Sequence, residues 1–385
     1  MNKFIAGGCL LLSVLTLSCT SGIREKGEIG KTASVEQSAF SQEQVKPLYA
    51  QGFKLTYADQ YVLADIQDPQ NEESTTFHYA FVKRGSKPTG IPVDYTMIEL
   101  PIRSVICMTS LQLSNFIKLG ALDKVVGITS TRHLFNKEMN ERLKEGKTAK
   151  IGIEGNFDNE VIMSMNPDLI LVSPFKRGGY ETLKDVGIPL IPHLGYKETT
   201  PLGQAEWIKF IALLLDDEER AETIFSGIEE RYNALKALIP EDIERPKVLS
   251  GELHGGNWYV VGGESYLAHQ FTDAGAEYFM MDNEESGGFY VDFETVYAQG
   301  ANADFWRILN SYPDKYSYEV LDKTDSRYRD FKAFKDKKVV YCNLSERPFY
   351  ELSPVEPDVV LADLIKAFHP QLLPDHQPVF YEVLK

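Results

Sequence analysis

The chain has 385 residues, 43 % of them hydrophobic and 25 % charged. Those values allow two or three domains with real cores. The net charge of −16 argues against a nucleic-acid partner, because phosphate backbones are held by basic surfaces; an anionic small ligand stays open, since a few Arg or Lys side chains can line a local pocket.

The first segment, "MNKFIAGGCLLLSVLTLSCTSG", carries Lys3, an apolar run from Phe4 to Leu17 and a small residue before Cys19. The run is shorter than the roughly 20 residues that cross a bilayer, so it reads as an export signal. Leu17-Ser18-Cys19 resembles a bacterial lipobox, although Thr16 stands where Leu is commoner. Residues 1–18 are then a lipoprotein signal peptide and Cys19 the lipidated first residue, with plain cleavage nearby as the alternative. Residues 19–46 are polar and read as a flexible tether. Residues 47–100 alternate apolar and polar side chains ("GFKLTYADQYVLADI", "TTFHYAFVKRG") and predict a β-rich, antiparallel extension.

From residue 101 the pattern becomes strand, helix, strand. "SVICM", "KVVGIT", "DLILVS" and "IPLIPH" predict strands, separated by helices at "LQLSNFIKLGAL", "DNEVIMSM" and "YETLKDVG". Residues 201–240 read as connecting helices, the second spanning Asp217 to Leu238 as one long strut between lobes. Residues 245–385 repeat the first grammar with "KVLSG", "YLAHQFTDAG", "DFETVYAQG", "ADFWRIL", "YRDFKAFKD" and "KKVVYCN". The fold class is α/β: two Rossmann-like lobes, residues 101–200 and 245–385, joined by a single long helix. Cys107 and Cys342 lie in apolar runs and read as buried single thiols.

One pattern occurs twice. "GNFDNEVIMSMNPDLILVS" and "GGFYVDFETVYAQGANADFWRIL" each hold an Asp, a lone Glu (Glu160, Glu294) in a short helix, a second Asp and an apolar strand.

Together with "PIRSVICMTSLQLSNFIKLGALDKVVGITS", "PLGQAEWIKFIALLL", "GGNWYVVGGESYLAHQFTDAGAEY" and "DVVLADLIKAFHPQLLPDH", this order resembles the substrate-binding proteins of ABC importers. The class is the helical-backbone one that serves iron-siderophore, haem and vitamin B12 uptake, in a version like that of Bacteroidetes-type bacteria. The resemblance implies a periplasmic, lipid-anchored monomer without enzymatic activity or a cofactor of its own. It implies a metal chelate held between the lobes, an Fe(III)-siderophore or other iron complex first and a corrinoid as the alternative. Its partners would be an ABC permease dimer with cytoplasmic ATPase subunits. Glu160 and Glu294 match the family's permease-docking positions; the plainer reading is a solvated first-turn residue favoured by the helix dipole.

A ligand in such a fold meets the loops at strand ends. Ser110, Arg132, His133 and Lys176 are the candidates in the first lobe, and Trp258, Tyr259, Tyr266 and Tyr350 in the second. Aromatic faces suit a large flat ligand and cations suit carboxylate or catecholate groups; ordinary packing is the alternative for Trp258 and Tyr259, a solvated loop for Lys176. The seven His form no HxH or HExxH pattern, so no direct metal site is expected, although one axial His to a chelated metal stays open. A periplasmic hydrolase is the alternative of a different class, but "HGGN" comes without GxSxG, and "GGESY" around Ser265 lacks a nucleophile elbow. A structural lipoprotein would need no matched lobes.

Overall fold

The computed structural model describes residues 44–71, 73–129, 133–153, 156–173 and 181–385. The signal, Cys19, most of the tether, Arg132 and Lys176 lie outside these residues.

The extension begins with β1 (Phe53–Tyr57), β2 (Tyr61–Ile66), β3 (Phe77–Lys83) and β4 (Thr96–Leu100), in the order β1-β2-β3-β4. Alternation builds it: along β2, Val62, Ala64 and Ile66 are buried while Tyr61, Leu63 and Asp65 are only half-buried. The first two pairings are antiparallel, but β3 and β4 run parallel. This corrects the all-antiparallel expectation; the long segment between them supplies the crossover that parallel strands need.

The first lobe contains β5 (Val105–Cys107), α1 (Ser110–Leu119), β6 (Val125–Ile128), α2 (Lys137–Lys144), β7 (Ala149–Lys150), β8 (Gly152–Ile153), β9 (Asn156–Phe157), α3 (Asn159–Met165), β10 (Leu169–Val172), α4 (Glu181–Lys184) and β11 (Leu190–Pro192). Its parallel sheet has the order β11-β10-β5-β6-β7. Next come α5 (Pro201–Leu215) and α6 (Glu218–Lys236).

The second lobe contains β12 (Lys247–Ser250), β13 (Leu253–His254), β14 (Asn257–Val261), α7 (Tyr266–Asp273), β15 (Glu277–Tyr278), β16 (Gly288–Val291), α8 (Phe293–Gly300), β17 (Phe305–Asn310), α9 (Tyr318–Thr324), α10 (Lys332–Lys335), β18 (Val339–Asn343), α11 (Phe349–Leu352), α12 (Pro357–Phe368) and β19 (Glu382–Val383). Its main sheet has the order β15-β12-β17-β18-β19, all parallel except β19. The run β11-β10-β5-β6 in lobe 1 thus matches β18-β17-β12-β15 in lobe 2. "YRDFKAFKD" is not one helix: Phe331 is extended (φ −69, ψ 135) and separates a 3-10 turn from α10.

The doubled pattern acquires a structural meaning here. In each copy the first Asp caps a helix: Asp158 accepts from Val161 N at 3.0 Å and Asp292 from Thr295 N at 2.7 Å. The second Asp ties the strand it precedes to its neighbour. Asp168 accepts from Arg103 N at 2.5 Å, just before β5, and Asp304 from Lys247 N at 2.9 Å, at the start of β12.

The connecting block departs from a bare strut. Asp216 adopts the left-handed conformation (φ 61) and ends α5. The 19 residues of α6 then span about 28 Å at the usual rise. Nearly all of α5 is buried, and α6 packs along both α5 and α12. One buried cluster accordingly runs from Val45 through both lobes to Tyr381.

The extension is fastened by two buried carboxylates, Glu206 on this block and Glu198 just before it. Glu206 accepts from Leu48 N, Tyr49 N (2.7 Å) and Ala50 N (2.9 Å) and pairs with Lys209 at 3.2 Å. Glu198 accepts from Gln51 N, Gly52 N and the Trp207 indole, the last two at 2.8 Å. Phe53 then packs edge-on against Trp207.

Candidate functional site

In an open parallel sheet the strand C-termini are the binding edge. In lobe 1 that edge is β5, β6 and the start of α1. Thr109 caps α1 in a reciprocal box with Gln112. The Gln112 amide also accepts from Met108 N (2.6 Å) and donates to Ser173 Oγ (3.0 Å), which joins the ends of β5 and β10. Beside this framework lies a cavity of about 210 Å³ lined by Cys107, Met108, Thr109, Ser110, Leu113, Ile128 and Thr129. Ser110, expected from the sequence, is therefore on a cavity wall.

His133 takes a different place. It is half-buried, and its Nε2 lies 3.1 Å from Ser311 Oγ, beyond the end of β17 in the other lobe.

In lobe 2 the segment expected as a loop is a hairpin. Gly255 and Gly256 have φ of 58 and 90, a two-residue turn between paired His254 and Asn257. "HGGN" is thus a tight turn, and Ser265 is the cap of α7, accepting from Ala268 N at 3.3 Å. Strand alternation then sends neighbouring residues to opposite faces. Trp258 is fully buried, stacked on Trp306 at 5.7 Å, with its indole donating to Ser250 O at 2.9 Å. The expectation of ligand contact for Trp258 is corrected: it belongs to the core. Tyr259 faces out, 47 % exposed, and meets Tyr290 edge-on at 5.3 Å. The Tyr259 phenol lies across Gly288, where an added Cβ would come within 1.8 Å of the hydroxyl; only glycine lets the ring lie there.

At the centre of the lobe-2 sheet stands Arg307 on β17. Its Nε donates to Tyr381 Oη at 2.9 Å and its Nη2 to the same oxygen, with the guanidinium 5.1 Å from that ring. No carboxylate lies within ion-pair distance of Arg307 among the described residues. Its charge reaches the phenols of Tyr266, Tyr278 and Tyr350 and opposes the rise that burial produces in each. Tyr266 is still pushed up to about 12, chiefly by burial. Tyr350 is 38 % exposed. Nearby, Glu252 accepts from Asn310 Nδ2 at 3.0 Å, and burial raises its carboxyl while Asn310 and Arg307 oppose.

Tyr266 and Tyr350 are thus brought into one electrostatic neighbourhood around Arg307; Tyr259 borders it through Tyr350, and Trp258 is not part of it. The sequence reading passed over Arg307, Glu252 and Tyr290. The signal for Arg307 was present: a cation inside the apolar strand "ADFWRIL".

Glu160 and Glu294 are both exposed, each in the first turn of its helix. Neither makes an ion pair among the described residues. Glu294 adds to the field on Arg327, but Arg327 is paired with Asp325 at 2.7 Å.

The periplasmic binding protein family matches residues 105–344, the parallel strands of both main sheets and the block between them, and the chain belongs to that family. Its members are binding proteins, and the protein is not an enzyme. A lipoprotein of Methanocaldococcus jannaschii is 24 % identical over 99 % of this chain and 96 % of its own length. A periplasmic binding protein from Veillonella parvula superposes with a TM-score of 0.58 at 16 % identity, covering 78 % of this chain and 96 % of that one. An ABC-type Fe3+-hydroxamate transport protein from Saccharomonospora viridis gives 0.56 at 22 %, covering 70 % and 94 %. At these identities the structures speak for the fold alone.

Proposed function

We propose that the protein captures an anionic metal chelate between its lobes, an Fe(III)-siderophore before other iron complexes, and hands it to an inner-membrane ABC permease. The observation that carries this is Arg307, a cation on the central strand with tyrosines around it and no carboxylate paired to it among the described residues. A half-buried guanidinium favours a partner that brings negative charge, and the phenol rings supply flat faces for the chelating arms. Iron is put first because a protein of the same fold belongs to an Fe3+-hydroxamate transport system; that likeness is one of fold, and the titration decides the metal. Ser110, Tyr259, Tyr266 and Tyr350 are the contacts we assign, with Arg132 and Lys176 as further candidates in lobe 1.

Calorimetry tests this. Trp quenching is a poor reporter once Trp258 is in the core. Ferric hydroxamate, catecholate and carboxylate siderophores, haemin and cyanocobalamin are titrated into the ligand-free chain. At least one ferric siderophore is expected to saturate, and Arg307→Gln to weaken it by about 10- to 100-fold, as for loss of a charge-assisted hydrogen bond. Saturation by cyanocobalamin alone, unaffected by Arg307→Gln, would replace this reading with a corrinoid one.

A further inference from the structure

Glu351 crosses between the lobes. It lies on α11 of lobe 2, next to Tyr350, and is 2 % exposed. Its Oε1 accepts from Phe135 N at 2.6 Å and its Oε2 from Asn136 N at 2.9 Å, both in lobe 1. Asn136 is the cap of α2, an eight-residue helix, so the carboxylate sits at the positive end of that helix. No Lys, Arg or His pairs with Glu351 among the described residues. The two backbone N–H groups and the helix end therefore carry the compensation for a buried charge. A second bond crosses at the same place, His133 Nε2 to Ser311 Oγ at 3.1 Å. On the lobe-2 side α11 is itself held, since Phe349 packs edge-on against Phe380 and Tyr381 at 5.5 Å each.

We propose that Glu351 is a positioning residue of the binding cleft: from lobe 2 it holds the lobe-1 segment His133–Asn136, so that this rim of lobe 1 follows lobe 2. The segment leads directly into α2 and follows β6 in the chain. Separating the lobes here requires a buried carboxylate and two peptide N–H groups to be rehydrated together. The tie thus sets the width of the ligand-free cleft on the β6 side. It does so one residue from Tyr350, whose ring faces the ligand in the function proposed above; the tie itself stands on geometry that does not depend on that function.

Hydrogen exchange on the full, ligand-free chain tests this without a ligand. In Glu351→Gln an amide donor replaces one acceptor oxygen. Exchange at Phe135 and Asn136 is expected to rise about tenfold or more, while the β5 and β10 amides keep their rates, because the opening is local. Ser311→Ala, which removes the second tie and no charge, is expected to raise the same amides by a smaller factor. If Glu351→Gln does not fold, Glu351→Asp, which keeps the charge but withdraws it, is expected to give the intermediate increase. Unchanged exchange at Phe135 and Asn136 in the folded variants overturns the proposal. So does acceleration spread evenly over both lobes, which would make Glu351 a packing residue of lobe 2.

Discussion

Trp258→Ala is expected to lower stability by about 3–5 kcal/mol, the usual range for removing a buried indole. The ring is enclosed by Phe293, Trp306, Tyr328 and Phe331, and its N–H donates to Ser250 O at 2.9 Å, an acceptor the substitution leaves unpaired. Urea unfolding reads this, with no contribution from ligand. Glu206→Gln should be comparably costly, about 3–5 kcal/mol, because it breaks a buried pair and aims an amide donor at backbone donors. One of the two oxygens shared by Leu48, Tyr49 and Ala50 becomes a donor, and Lys209 loses its charged partner at 3.2 Å while keeping Glu222 at 2.8 Å. The two described cysteines supply a chemical check. Burial pushes the Cys107 thiol well up and the Cys342 thiol up to about 12. Since the thiolate is the reactive form, neither should be alkylated at about pH 8 in the folded protein. Labelling of either under native conditions, read by mass spectrometry, would reveal an opening of its strand.

Between elements, the doubled pattern separates into parts that hold the fold and a part that does not. Asp158 and Asp292 cap their helices, and Asp168 and Asp304 stitch strand ends. Glu160 and Glu294 are left facing solvent. We assign them to docking on a twofold permease, one carboxylate per lobe, where rim charges set orientation and on-rate more than affinity. Replacing both with Lys should then change stability by only about 0.5 kcal/mol, as exposed substitutions do. Chelate-dependent growth should nevertheless fall. Normal growth of the double variant, beside an unchanged thermal melt, would reduce the pair to first-turn residues that suit a helix dipole.

At the scale of the whole molecule, the extension is part of the body. Two buried carboxylates, Glu198 just before the connecting block and Glu206 on it, hold residues 48–52, and the loop after β2 reaches across: Gln70 takes a bond from Lys197 at 3.2 Å and gives one to Ser286 O at 3.4 Å. The block "PLGQAEWIKF" and the long N-terminus are therefore one structural feature, since Glu206 and Trp207 of the former hold the latter. Cys19→Ser should release the protein from membranes while leaving its fold and ligand binding intact, read by fractionation in high salt; continued sedimentation would refute the lipid anchor we propose.

Periodicity and capping are local, and most elements were legible for that reason. The alternation in the extension, Gly120 closing α1 at φ 65, the Asp caps and the strand-helix order of both lobes all lie within a few residues of their causes. The hairpin from His254 to Asn257 is equally local, but the expectation of a loop there leaves out the strand alternation on either side of its glycines. That misplaced Trp258, because one step along a strand exchanges core for surface. The rest depends on residues far apart in the chain. Glu351 meets Phe135, Glu206 meets Leu48, and Arg307 meets Tyr381. No spacing rule links such pairs, since the closure of two sheets around α5 and α6 brings them together. The sequence by itself therefore determined the kind of fold and its doubled design. Tertiary packing alone decided which charges were neutralised inside, and that Arg307 stands among tyrosines with no carboxylate at ion-pair distance among the described residues.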